Sequence, residues 1–466
     1  MNLNNNSKTL KLIFLISISF ITMFHRLNES PLGYDDTHYA QRAKEVLNRK
    51  DYFYTYPTFS GELSFDNKPP VLYWFLSFSG KIFGFNNWSM RLFPAIFGFL
   101  TVIFIFLLTK LITKDFELGF WSAFILNFTQ QFIYYSRSAT PETIFCFFFW
   151  GAIFCFYLWL EKDMPIFIYI FGIFLGAAVM TRQIFGLMVL VIIFCYLITI
   201  KKADILLNKK LILAICLSSI IFLPWHLFMI LRYKKSFIES YLGVLIRYTT
   251  SRKADWYEYI KKILENYWPW LPFLVLGITK LKKINLESFT KLILTSIIVY
   301  LLFLHIPRFK APQYLVVMYV PFALVSSYGL IYIDKNFILR KFFLGLSTFL
   351  VILWTLFPII PKTLDSNEYK ELQKSFEEIK KINKEIITLS NGEYWHFNNG
   401  LLYYLDKKVI GLKEDEFIDS LLNTNNNYYI LKWKDFNYLV NNYAIDNKVI
   451  IISTQSESVF FTNKTH

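Results

Sequence analysis

The sequence predicts a mainly helical membrane protein, a polytopic bundle of about eleven spans with a small C-terminal α/β domain. Three observations lead there. Of the 466 residues, 55% are hydrophobic and 18% charged, where soluble domains carry roughly 25% charge. Apolar runs close to the roughly 20 residues that cross a bilayer recur along most of the length. After Pro361 the composition changes, and residues 362–466 become rich in Asn, Lys, Glu and Asp. A domain boundary is therefore expected near 360, with a membrane domain over 1–360 and a small domain over 361–466.

Helices are expected near 10–26, 91–113, 117–136, 142–161, 165–180, 184–200, 211–232, 266–281, 289–306, 313–334 and 341–360. The first run lacks a small-residue cleavage site and reads as an uncleaved helix. The net charge is +15, but the basic residues cluster in short loops. One side holds Lys110, Lys114, Lys162, Lys201, Lys202, Lys209, Lys210, Lys280, Lys282, Lys283, Lys291, Lys335, Arg340 and Lys341. The other holds little beyond Arg137, Arg182, Arg308 and Lys310. That asymmetry is the signature of a cytoplasmic membrane protein, with the lysine-rich side inside. It gives the positive charge a role in membrane orientation and argues against nucleic acid as a partner. The segment 27–90 and the C-terminal domain then face outward. Cys146, Cys155, Cys195 and Cys216 all lie in apolar runs without metal-type spacing and read as packing residues.

The outward segment 27–90 carries the informative chemistry. Gly33-Tyr34-Asp35-Asp36-Thr37-His38-Tyr39-Ala40 opens it, and Phe65-Asp66-Asn67-Lys68-Pro69-Pro70 follows. Charge beside membrane segments is costly, which raises a functional question. Apolar spacing predicts a surface helix over Tyr39–Leu47 and another over Val71–Phe83, with Pro69 and Pro70 at the start of the second. Asp35 and Asp36 read either as caps of the first helix or as a general base toward an acceptor hydroxyl, roles that can divide between the two. Lys68 reads either as a snorkelling lysine or as a phosphate contact. Arg137 and Glu142 share a tight outer turn, where they pair with each other or line a cavity. Arg182 sits at another outer turn, suited to grip a phosphate. Residues 232–265 form a second outward segment with Arg247, Arg252, Lys253, Lys261 and Lys262. In the C-terminal domain a helix is expected near Glu368–Ile382, and strands over Glu385–Leu389, Tyr428–Leu431 and Val449–Ile452.

Taken in order, these motifs resemble the GT-C class of lipid-linked-sugar glycosyltransferases, and within it the aminoarabinose-transferase and protein O-mannosyltransferase-like group. Tyr34-Asp35-Asp36-Thr37-His38-Tyr39-Ala40 resembles that group's Pro-Asp-Glu-x-x-Tyr-Ala element. Phe65-Asp66-Asn67-Lys68-Pro69-Pro70-Val71-Leu72-Tyr73-Trp74 resembles Phe-Glu-Lys-Pro-Pro-Leu-x-Tyr-Trp. Phe83-Gly84 and Arg91-Leu92-Phe93-Pro94, the turn Arg137–Glu142, and Gly176–Arg182 follow in the family's order. The resemblance implies a sugar on a polyprenyl phosphate as donor and a lipid, glycan or protein as acceptor. It implies Asp35 and Glu142 as catalytic carboxylates, and Lys68, Arg137 and Arg182 as donor-phosphate contacts. Asp36, Tyr39, Asp66, Arg247 and Arg308 complete the candidate set as supporting groups. The family's glutamate beside the lysine is Asn67 here, with a carboxylate one position earlier at Asp66. No cofactor is required by the pattern; a divalent metal stays open, with Asp66 its candidate ligand. A transporter or lipid flippase is the rival reading, disfavoured because no inverted repeat is visible and the charges sit at the outer edge. An O-antigen polymerase or ligase would place its large loop late in the chain.

Overall fold

A computed structural model describes residues 2–53, 67–250, 255–280, 287–306, 310–357 and most of 379–463. The helices run α1 (Asn2–Phe24), α2 (Tyr34–Arg49), α3 (Val71–Phe83), α4 (Asn87–Thr113), α5 (Phe116–Asn127), α6 (Gln130–Ser136), α7 (Glu142–Lys162), α8 (Ile166–Arg182) and α9 (Met188–Thr199). They continue with α10 (Lys209–Thr250), α11 (Glu258–Tyr267), α12 (Leu271–Lys280), α13 (Glu287–His305), α14 (Tyr319–Ile333) and α15 (Ile338–Leu356). The contacts divide into two compact units: residues 1–25, 67–72 and 91–360 in the first, and 26–66, 73–90 and 361–466 in the second. Most of the segment 27–90 thus belongs with the C-terminal residues, whereas composition alone had suggested one boundary near 360.

In the first unit, eight stretches of the described residues are long and apolar enough to cross a bilayer. Three expected spans explain the difference from eleven. Residues 117–136 are two helices, α5 and α6, interrupted at Phe128–Thr129. Residues 266–281 yield only the short α12. The runs at 165–180 and 184–200 form one continuous stretch, Ile166–Thr199, which nonetheless turns back at its middle. Gln183 has φ 55°, and a Cβ at Gly186 would lie 2.5 Å from the Val179 nitrogen. Seven residues of straight helix would separate those positions by roughly 10 Å, so the chain reverses there. The expected 211–232 helix is longer, because α10 continues to Thr250 through a sharp bend at Lys234, with φ 48° and ψ −128°.

Close approach of small residues sets the helix packing, as expected where lipid offers no hydrophobic drive for association. A Cβ at Gly329 would meet the Phe273 carbonyl at 2.0 Å, and one at Gly277 the Val325 carbonyl at 2.1 Å, so α12 and α14 touch backbone to backbone. Residues Pro312–Met318 are a 3₁₀ segment, whose carbonyls need outside donors in an apolar setting. Trp150 supplies one, donating Nε1–H to the Val317 carbonyl at 2.7 Å. At the lysine-rich ends, Asp334 Oδ2 accepts from the Arg340 backbone N–H at 2.9 Å and from its Nε at 3.0 Å. Arg340 also reaches Glu117, which pairs with Lys11.

The second unit joins the loop helices to the small domain. The helix α2 begins at Tyr34 behind Gly33, five residues before the expected start. Asp35 and Asp36 therefore lie in its first turn rather than at its cap, where carboxylates complement the helix dipole. Ser77 of α3 donates to the Ala43 carbonyl at 2.7 Å, and Trp74 to the Tyr52 carbonyl at 2.6 Å. Beyond Ile379 the chain forms β1 (Ile386–Leu389), α16 (Tyr394–Leu405), β2 (Val409–Leu412), α17 (Glu414–Asn423), β3 (Tyr428–Lys432), α18 (Trp433–Tyr443), β4 (Val449–Thr454) and β5 (Ser458–Asn463). The sheet order is β2-β1-β3-β5-β4; β1 is parallel to β2 and β3, and β5 is antiparallel to β3 and β4. Ile386, Leu401, Phe417, Leu431 and Phe461 meet in its core. Of the helix expected near 368–382, residues 368–378 lie outside the described residues. The helix α16 packs on α2, Tyr404 Oη accepts from Leu32 N–H at 2.6 Å, and Lys44 pairs with Asp406 at 2.6 Å.

Candidate active site

A buried ion pair of the first unit forms where α7 begins and α8 ends. Pro141 precedes Glu142, the first residue of α7, and Arg182 is the last of α8. The two helices pack extensively, which brings those ends together. Arg182 Nη2 donates to Glu142 Oε1 in a pair whose side chains are only 14% and 5% exposed. The other oxygen, Glu142 Oε2, is buried without a hydrogen-bond donor among the described residues. The Arg182 guanidinium also lies 4.9 Å from the Tyr314 ring centre, a cation–π contact, and Tyr314 stacks on Phe185 at 4.6 Å. A carboxylate and a guanidinium are thus fixed in one buried spot, facing aromatic walls.

The next residue, Gln183, ties this cluster to the Lys-Pro-Pro loop. Its Nε2 donates to the Asn67 carbonyl at 2.7 Å. The Asn67 amide in turn donates to Ser240 O at 2.7 Å and to Ser240 Oγ at 2.9 Å. A carbonyl can only accept, so the amide NH₂ must face Ser240. Lys68 follows, half-buried, with Pro69 and Pro70 buried behind it and α3 starting at Val71. Lys68 is therefore held between a bonded asparagine and a rigid proline pair. The left-handed φ of Gln183 is strained for a residue with a Cβ, and such strain concentrates at functional sites.

In the second unit Asp35 is exposed, while Asp36 is buried at 4%. Tyr39 is buried, with its ring 5.9 Å from that of Tyr73.

Residues 67–228 match the family model described as dolichyl-phosphate-mannose-protein mannosyltransferase. An undecaprenyl phosphate-α-4-amino-4-deoxy-L-arabinose arabinosyl transferase of Photorhabdus laumondii is 26% identical over 330 residues. That match takes in 67% of this chain and 58% of the relative, so it spans little over half of the relative's length. The crystal structure of ArnT from Cupriavidus metallidurans bound to undecaprenyl phosphate superposes with TM-score 0.79 at 13% identity, covering 97% of this chain and 98% of the other. The archaeal oligosaccharyltransferase AglB from Archaeoglobus fulgidus gives 0.61 at 12% identity, over 96% and 71%. The chain has the fold of the GT-C membrane glycosyltransferases.

Within this GT-C frame, Arg137 is used differently from the expected donor contact. It is 5% exposed. Its Nη1 donates to the Thr22 and Met23 carbonyls at 3.1 and 3.3 Å, and its Nη2 to His25 O at 2.8 Å. Its guanidinium also stacks 4.8 Å from Trp354. Arginine thus satisfies the orphan carbonyls at the end of α1, and Glu142 pairs with Arg182 instead of its turn neighbour. Asp66 and Arg308 lie outside the described residues, as does the side chain of Arg247. A metal at the position of the family's glutamate does not fit Asn67, whose amide is committed as a donor to Ser240. Among the described residues no three His, Cys, Asp or Glu side chains gather into a metal-type group. Sequence reasoning missed Gln183 and Ser240; the position of Gln183 directly after Arg182 was the available signal. Lys310, read from sequence only as a loop charge, caps α13 by donating to His305 O at 2.8 Å and to Leu304 O at 3.2 Å. Burial holds its ammonium pKa below the ordinary lysine value.

Proposed function

We propose that this multi-pass membrane protein moves a sugar from a polyprenyl-phosphate donor to a hydroxyl of a lipid, glycan or protein acceptor, on the outer side of the cytoplasmic membrane. The observation that carries the reading is the buried Glu142–Arg182 pair joined through Gln183 to the Lys68 loop. An arginine against an aromatic wall and a lysine on the segment bonded to the next residue suit a lipid-borne phosphate, since arginine offers a planar fork and lysine a point charge. The ArnT-like fold and the arabinosyltransferase relative support the same donor class. The lysine asymmetry of the loops supports an outward site.

The chemistry is a single inverting displacement. An acceptor oxygen forms a bond to the anomeric carbon on the face opposite the phosphate. The bond between that carbon and the phosphate oxygen breaks, and its electron pair leaves with the phosphate. The exposed Asp35 carboxylate takes the acceptor's proton. Lys68 and Arg182 stabilise the charge that grows on the departing phosphate. Glu142 orients Arg182, and no step is routed through a metal. The test is transfer of labelled sugar from a polyprenyl-phosphate donor in lipid nanodiscs, comparing Asp35→Asn and Lys68→Ala with the unaltered protein. Both variants should insert normally and lose transfer; full activity in either removes that residue from the mechanism.

A further inference from the structure

The small domain contains a cavity of about 260 Å³ that the transfer reaction does not use. Its place in the sheet is informative. From β1 the chain passes through α16 to β2 on one side, then through α17 to β3 on the other side of β1. Both pairings with β1 are parallel. Right-handed crossovers in opposite directions put successive helices on opposite faces. They leave a crevice outside the carboxyl ends of the strands, the general position of ligand sites in such sheets.

The cavity lies at that switch point. Ser390 follows β1, Lys413 follows β2, Glu414 opens α17, and Asp435 and Tyr438 come from α18, the helix after β3; leucines of all three regions complete the lining. Among the described residues the side chains of Lys413, Glu414 and Tyr438 are exposed and make no hydrogen bond or ion pair. Glu414 is not needed to start its helix, because Glu416 accepts the Lys413 backbone N–H at 3.2 Å. Two carboxylates against one ammonium disfavour a phosphate. A carboxylate accepts two hydroxyls at once, and a tyrosine ring with leucines offers an apolar face for sugar C–H groups. The volume is just under the roughly 300–1,000 Å³ of sites for drug-sized ligands, which suits one sugar ring. We propose that this cavity binds a saccharide unit through neighbouring hydroxyls, as a site separate from the transfer chemistry.

The test uses the full chain in nanodiscs and saturation-transfer NMR with glucose, mannose and N-acetylglucosamine as probes, and inorganic phosphate as a competing anion. At least one sugar should receive saturation, and phosphate should not displace it. Glu414→Gln with Asp435→Asn should weaken binding about tenfold or more, the size expected for lost charge-assisted bonds. Asp419→Asn, on α17 outside the cavity, should not. Equal melting temperatures exclude misfolding, and Tyr438→Ala gives an independent second variant. Transfer to membrane acceptors in the double variant then assigns the source: a raised acceptor KM identifies a sugar of the acceptor, and unchanged kinetics a separate glycan. Absence of saturation for all three sugars overturns the proposal. So does unchanged sugar binding in the variants, or displacement by phosphate. Loss of transfer in Asp35→Asn with sugar binding intact keeps the two readings distinguishable.

Discussion

Arg182→Met is the most discriminating perturbation of the candidate site. It removes the guanidinium from a carboxylate that is 4% exposed and already has one oxygen without a donor among the described residues. Stripping one partner from a buried ion pair costs about 3–5 kcal/mol, because an uncompensated charge stays behind. Removing both charges with side chains of similar volume is nearly neutral. Glu142→Gln/Arg182→Met should therefore recover most of the lost stability, a coupling of about 3 kcal/mol in a double-mutant cycle. Thermal unfolding of the purified protein in detergent reads that arm. The transfer assay reads the other. If Arg182 grips donor phosphate, the double variant stays impaired although it is well folded. Loss of one charge-assisted contact of about 1.5–3 kcal/mol lowers kcat/KM roughly 10- to 150-fold. A double variant that regains both stability and transfer would refute the phosphate role and leave the pair as packing alone.

Asn67→Asp places carboxylate oxygens against the Ser240 carbonyl where two N–H donors stood. The donor KM should rise and about 1–3 kcal/mol of stability should be lost, while Ser240→Ala, which keeps the carbonyl, should be milder in the same kinetic assay. Arg137→Met uncaps α1 and should lower stability by about 1–3 kcal/mol, with kcat/KM per folded molecule unchanged, as read by active-site-normalised kinetics. At Asp334, burial raises the carboxyl pKa, but the Arg340 and Leu339 hydrogen bonds and the Arg340 charge outweigh it, so the net shift is downward from 3.8. A depressed folded-state pKa gives stability that is fully present above the unfolded value and lost as pH falls through the folded one. Melting temperature should therefore decline below about pH 3.8, and Asp334→Asn should start lower and lose that part of the acid dependence.

Much of this was legible where a residue's cost in an apolar chain exposed it. Asp35, Lys68 and Arg182 stood out because charge next to lipid needs a reason, and Glu142 because it opens an apolar run. The choice of Arg182 as partner for Glu142 was not legible, since it depends on how α7 packs against α8, and Arg137 was nearer in sequence. Helix interruptions were also hidden. Phe128–Thr129 and Lys234 carry no proline or glycine, whereas the helix runs on past Pro94 in α4 and past Pro224 in the first half of α10. In the small domain β1, β3 and β4 declared themselves by apolar runs. Val409–Leu412 contains a glycine and Ser458–Asn463 has polar ends, so β2 and β5 needed the sheet to define them.

Asn67 shows why a departure from a family pattern must be read with its neighbours. Sequence alone makes it a missing carboxylate beside Lys68. Its amide, however, donates twice to Ser240 beyond the bend of α10, and its carbonyl receives Gln183 beside Arg182. A glutamate there would present oxygen to oxygen at the Ser240 carbonyl. The Asn67 amide and the bent arm of α10 are therefore matched to each other. Three segments far apart in the chain, the Lys68 loop, the end of α8 and the second half of α10, meet at one asparagine. The role of that residue is set by hydrogen-bond direction, and its place beside Lys68 makes the orientation of the lysine depend on it.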